Sequence, residues 1–340
     1  MALAQPGRNC PLHYRYAPAA FARAPEVHAA TLYVIGGLYG NLPALEAVLA
    51  LAARESGAVT LLFNGDFNWF NIDDAGFRAI NSVVLRHHAL RGNVETEIAG
   101  DESDAGCGCA YPDYVAADEV ARSNTISVKL RETARRHTGL RAQLAALPMH
   151  LVAEVGGARV AIVHGDLESL AGWTLSQDAI TPDATKNTLQ KQIVTANCPI
   201  IVSSHTCLPV ALTLDTALGR CAVFNNGAAG MPNFRDTQFG IITRIAATPA
   251  PQVTPLYGTR IGSIHVEALP VHYDPARWQR DFLSNWPAGS AGHVSYYPRM
   301  TRGPAHTITD ANRLTVSHCG CVQPTAIACN KAPGNRHEKK

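Results

Sequence analysis

At 340 residues, 46% of them hydrophobic and 16% charged, the chain is long and apolar enough to bury a large core, which excludes wholesale disorder. Its 29 basic and 27 acidic residues leave a formal net charge of +2, too weak a field to gather nucleic acid or an anionic membrane surface, so neither is expected as a partner. No run approaches the roughly 18 consecutive apolar residues of a membrane span. Met1 to His28 carries Arg8, Arg15, Arg23 and scattered prolines where an export signal would be apolar, and a cytoplasmic location is expected. The nine cysteines are odd in number and irregularly spaced, and read as reduced thiols.

Thr31 to Ile35 is β-branched and apolar, stops at Gly36-Gly37, and predicts a buried strand ending in a tight turn. Leu42, Leu45, Val48 and Leu49 recur at helical spacing, with Pro43 in the first turn and Gly57 at the end. Val59 to Phe63 predicts a second buried strand halted at Asn64-Gly65, and Asp74 to His87 a second helix, whose end His87-His88 complements the helix dipole. Strand alternating with helix implies a parallel sheet. Asp101 to Asp113 has no period and is a loop; Tyr114 to Leu147 is helical with breaks near Ser123 and Gly139, and together they read as an insertion. His150 to Val155 and Arg159 to Val163 form a hairpin around Gly156-Gly157. Ile200 to Ser203, Val210 to Leu214, Cys221 to Phe224 and Gly240 to Ile245 supply further strands. From Pro270 on, Trp278, Trp286, Tyr296 and Tyr297 replace any clear period. Pro333 to Lys340 is a polar tail expected to be disordered.

Four sharp turns follow apolar strands: Gly65-Asp66, Gly92-Asn93-Val94-Glu95, His164-Gly165-Asp166 and Ser204-His205-Thr206-Cys207. Strand ends of this kind are where open α/β sheets place ligands. One carboxylate, one amide oxygen and two imidazoles on separate rigid elements suit a divalent transition metal such as Mn, Fe or Zn.

The order of these turns resembles the calcineurin-like metallophosphoesterases, which read D-x-H, G-D, G-N-H-D/E, a lone His, and G-H-x-H. The equivalents here are Gly37-Leu38-Tyr39, Gly65-Asp66, Gly92 to Glu95, His164, and Ser204 to Cys207. The flank Ile35 to Leu49 and the segment Asn225 to Gly230 are similar as well, so the resemblance spans Thr31 to Ile245. It implies an α/β fold, a four-layer αββα sandwich with a helical insertion. The domain reading is an N-terminal extension (1–30), a metallophosphoesterase-like domain (31–265, insertion about 98–148), a C-terminal appendage (266–330) and the tail (331–340).

Carried over by position, the resemblance implies one metal set of Asp66, Asn93, His164 and His205, all present. The other set becomes Gly37, Tyr39, Asp66 and Cys207, three of four changed, and the histidine at the acid position becomes Val94 beside Glu95. The resulting expectation is a phosphate mono- or diester hydrolase using a single or remodelled site of one ion, acting on a small-molecule phosphate ester or a phosphorylated substrate. Glu95 and Tyr39 are candidate catalytic groups, Cys207 is an alternative ligand, and Arg91 and Arg235 are candidate phosphate holders. The rival expectation is an inactive module that binds or regulates, since fold alone does not fix function. Cys107 and Cys109 could join Cys319 and Cys321 in a zinc or redox cluster, although zinc sites more often use wider spacing. No feature specifies the oligomeric state.

Overall fold

The computed structural model describes residues 5–101 and 105–315. Two short 3-10 turns, Leu12–Tyr14 and Pro18–Phe21, lead into β1 (Val27–Ala29). β2 (Thr31–Ile35), α1 (Leu42–Ala52), β3 (Val59–Asn64), α2 (Asp74–Val84) and β4 (His88–Leu90) follow, and the three strands β2, β3 and β4 pair in parallel. Next come α3 (Asn93–Ala99), α4 (Ala117–Arg135), α5 (Thr138–Ala146), the hairpin β5 (His150–Val155) and β6 (Ala158–Val163), and α6 (Asp183–Ala196). The remainder is β7 (Ile200–Ser203), β8 (Val210–Thr216), β9 (Gly219–Asn225), β10 (Gly240–Ala246), β11 (Tyr257–Ile261), β12 (Ile264–Val271), α7 (Pro275–Asn285), α8 (Ala291–Arg302), α9 (Ile308–Ala311) and β13 (Asn312–Arg313).

The strands form two mixed sheets, one in the order β11-β12-β10-β2-β3-β4 and the other β1-β5-β6-β7-β9-β8-β13. Their inner faces pack against each other. Leu32, Val34 and Leu62 from the first sheet meet Val160, Ile162, Ile200 and Val202 from the second in one buried cluster. The alternate residues of the same strands point outward: Tyr33, Ile35 and Phe63 toward the helices over the first sheet, Ala161, Val163 and Ile201 toward α6 over the second. Burial on both faces explains why these strands read as continuous apolar runs. The architecture is the expected four-layer αββα sandwich.

Several local readings need correction. The helix begun at Leu42, capped by Asn41 through the Ala44 N–H, ends at Ala52, short of Gly57. His88 opens β4 opposite Leu62, so His87-His88 is not a helix end. No break occurs at Ser123: α4 runs through it, and its buried hydroxyl bonds the Tyr111 phenol at 3.0 Å. The break expected near Gly139 is present, at Arg136 and His137. β11 and β12 continue the first sheet to Val271, and the period-free stretch after Pro270 contains α7, capped by Trp286, and α8, which pack Trp278, Phe282, Trp286 and Met300 into the core over that sheet. Cys319, Cys321 and the tail 331–340 lie outside the described residues.

Candidate metal centre

The C-terminal ends of β2, β3 and β4 in one sheet face those of β6 and β7 in the other, so short turns from five strands converge. β3 delivers Asp66, β4 delivers Asn93 at the start of α3, β6 delivers His164, and β7 delivers His205. All four side chains are buried. Asp66 Oδ2, Asn93 Oδ1 and His205 Nδ1 stand 3.3, 3.2 and 3.2 Å from His164 Nε2. Among the described residues, Asp66, His164 and His205 form a cluster whose ligand atoms lie within 4.8 Å of one another.

The outward-facing atom of each nitrogen-bearing ligand is already committed to a backbone carbonyl. His164 Nδ1 donates to Asn64 O at 2.8 Å, His205 Nε2 to Cys109 O at 3.0 Å, and Asn93 Nδ2 to Cys107 O at 2.9 Å. These bonds fix both tautomers and the amide orientation, leaving two ring lone pairs and an amide oxygen pointed at the Asp66 carboxylate. Acceptors facing one another repel unless a proton on His164 Nε2 or a metal cation lies among them. The residues therefore fit a divalent ion with mixed N and O ligands.

The titrations follow the same geometry. Burial would raise the Asp66 carboxyl, but the His164 and His205 imidazoles and the Val94 N–H hold it below its usual value. Burial would lower His164, but Asp66 holds it above its usual value. Burial and the neighbouring His164 push His205 down to about 4.

Glu95, read as a catalytic group, is completely buried and is not among the residues that line the cavity at this site. Its carboxylate accepts from the N–H groups of Asp66 (2.7 Å), Gly92 (3.1 Å) and Phe67 (3.1 Å), so it ties the two ligand turns together. Burial and the Asp66 charge raise it to about 7.

The other half of the site is filled. The Tyr39 ring lies over Gly37, where a Cβ would sit 2.4 Å from the ring, so the space a side chain at position 37 would use is taken. Tyr39 Oη contacts Cys207 Sγ at 2.8 Å, and Cys207 Sγ reaches the His205 carbonyl at 3.3 Å. Tyr39, Asp66 and Cys207 all adopt left-handed backbone, with φ of 54°, 54° and 62°, which is costly for a tyrosine or a cysteine.

Both halves open on a cavity of about 50 Å³, walled by Trp69, Tyr111, Trp173 and Tyr296 as well as Cys109 and Val94. Neither Arg91 nor Arg235 lines it. Arg91 Nη1 is bonded to the Ala145 carbonyl at the end of α5, and Arg235 sits in an exposed loop held through its backbone to His306. No lysine or arginine is among the lining residues. The aromatic wall and the Cys107 and Cys109 carbonyls escaped the sequence reading. A carbonyl leaves no mark on residue type, and the only available signal was Gly106-Cys107-Gly108-Cys109 lying in a loop.

No family model matches the sequence, and no curated protein matches it. Solved structures do. A metallophosphoesterase from Sphaerobacter thermophilus aligns over 81% of this chain and 100% of its own, at 18% identity and a TM-score of 0.52. The fold is that of the calcineurin-like metallophosphoesterases. A hypothetical protein from Pyrococcus horikoshii OT3 aligns over 81% of this chain and 99% of its own, at 16% identity and a TM-score of 0.52. The metallophosphoesterase fold thus accounts for the strand ends that meet here. Among the described residues no helix is long and apolar enough to cross a membrane.

Proposed function

We propose that this chain hydrolyses phosphate esters with one divalent transition ion held by Asp66, Asn93, His164 and His205. The observation that carries the reading is the convergence of four lone-pair atoms, three on groups whose outward nitrogen is bonded to a backbone carbonyl and the fourth on a carboxylate whose other oxygen accepts from the Val94 N–H. What the ion supplies when bound is Lewis acidity toward a phosphoryl oxygen. The protein's part is positional: Glu95 locks the Asp66 and Gly92 turns, and the aromatic wall keeps bulk water away. Tyr39 keeps its proton, because burial and the nearby Cys207 and Asp66 push its phenol well above the usual range. It is a hydroxyl donor lining the same cavity as Val94, at which position the family has its histidine.

The same half favours a second reading, a module that holds the ion without turnover, because Tyr39 fills one ligand set and valine can neither donate nor accept a proton. The test loads the purified chain with Mn, counts ions, and assays p-nitrophenyl phosphate and bis(p-nitrophenyl) phosphate, then repeats both in Asp66→Asn and His205→Ala. One ion per chain and turnover lost in both variants support the hydrolase. One ion with equal background rates in all three proteins supports the module. No stoichiometric ion sinks both.

A further inference from the structure

The loop after α3 is tied to the N-terminal segment by an unbroken set of bonds. Gly7 N donates to Ala105 O at 2.7 Å, and Tyr111 N returns to Gly7 O at 2.8 Å, so the segment brackets the loop on both sides. Arg8 reaches the Pro112 and Val115 carbonyls at 2.7 and 2.6 Å. Asn124 of α4 bridges the two pieces: its Nδ2 donates to Pro6 O at 3.0 Å, and its Oδ1 accepts from Cys107 N at 2.9 Å. Further along, the Tyr14 phenol donates to Glu97 of α3, and Leu170 N and the Tyr16 phenol join the segment to the turn after His164. Gly108 sits where this packing is tightest, at φ +69°, and a Cβ there would meet Tyr14 Oη at 2.4 Å and Asn93 Cβ at 3.2 Å.

This loop supplies the two carbonyls that orient Asn93 and His205. Cys109 O also accepts from Trp173 Nε1 at 2.9 Å, which fixes the wall residue beside His205. We infer that residues 5–16 act as a positioning strap for the metal centre, aiming Asn93 and His205 through the carbonyls of Cys107 and Cys109. The inference rests on the one-ion reading of the site. It gives the insertion and the N-terminal extension a common role: neither supplies a ligand, and together they set two ligands' orientation. Partners of this kind typically change metal affinity by about 10- to 100-fold.

The test uses the full chain with Co²⁺ as the probe, reading affinity by competition with a chromophoric chelator, the visible d–d spectrum of the bound ion, and the melting temperature without metal. Arg8→Ala removes two bonds at a half-buried position, and Gly108→Ala disturbs the loop directly. In both, Co²⁺ affinity is expected to fall at least about 10-fold and the d–d bands to shift, reporting changed coordination. Arg8→Lys, which keeps a donor to one carbonyl, is expected to recover part of the loss. Wild-type affinity and spectrum in Arg8→Ala and Gly108→Ala overturn the strap. So does weakened binding with an unchanged spectrum and an equal fall in melting temperature, since that describes a loosened fold and not a misaimed ligand. A wild-type chain that takes up no Co²⁺ sinks the one-ion reading and the strap with it.

Discussion

The turns after β2 and β3 sit on neighbouring parallel strands, and each forces a residue into the left-handed region at φ 54°. One turn presents Asp66, a carboxylate opposed by two imidazoles; the other presents Tyr39, whose ring covers Gly37 and whose phenol meets Cys207. Equal backbone strain with opposite chemistry shows that one turn geometry carries a charged donor in one place and a packed aromatic ring in the other. Positions 37, 39 and 207 also fit one another. Glycine at 37 makes room for tyrosine at 39, and tyrosine at 39 reaches cysteine at 207. That is a packed arrangement.

The sharpest way to break the contrast is to remove a donor from each half. Asp66→Ala or His164→Ala is expected to cost more than the roughly 100-fold that outer partners cost in metal affinity, whereas Cys207→Ser leaves it unchanged. Equal losses on both sides, in a chelator competition, would mean the halves share the ion. Glu95→Gln comes next. Its amide nitrogen must face N–H groups now bound to carboxylate, either those of Asp66 and Gly92 or those of Phe67 and Asn68. About 1–3 kcal/mol of stability should go with those bonds in urea titrations, and metal affinity should weaken as well.

A double-mutant cycle addresses the filled half. Gly37→Ala alone should destabilise by about 1–3 kcal/mol, because the new methyl meets the Tyr39 ring. In a Tyr39→Gly background the same change should cost nothing, or stabilise by about 0.4–1 kcal/mol through the unfolded chain. An identical penalty in both backgrounds would show that the ring is not what fills the site.

How much of this was legible depends on what carried the information. Asp66, Asn93, His164 and His205, which the structure brings together, each follow an apolar strand at a turn, and the order of those turns along the chain is what marks them as a set. β12 could not be read, because Glu267 and His265 interrupt it. Glu267 is buried there against Arg244 of β10, which pairs with it at 2.9 Å and with Glu55 at 2.6 Å, and against the Ala250 N–H, long-range facts absent from the local pattern. Arg91 is adjacent to the site in sequence, yet the α5 carbonyl that takes its guanidinium is 54 residues away. The Cys107 and Cys109 side chains drew notice as thiols, while their backbone oxygens are what reach the ligands.

Tyr39→Phe is the smallest change and the most discriminating. It keeps the ring over Gly37 and removes only the hydroxyl at Cys207, so stability should fall by about 1 kcal/mol or less. If Tyr39 only fills space, ion stoichiometry, affinity and turnover all stay at wild-type values. If its phenol donates to the phosphoryl group, turnover falls while affinity for the ion holds. If the phenol is a ligand, affinity falls too, and the two halves of the centre are then one site. The three outcomes differ in which measurement moves, so one variant assayed for metal and for turnover separates them.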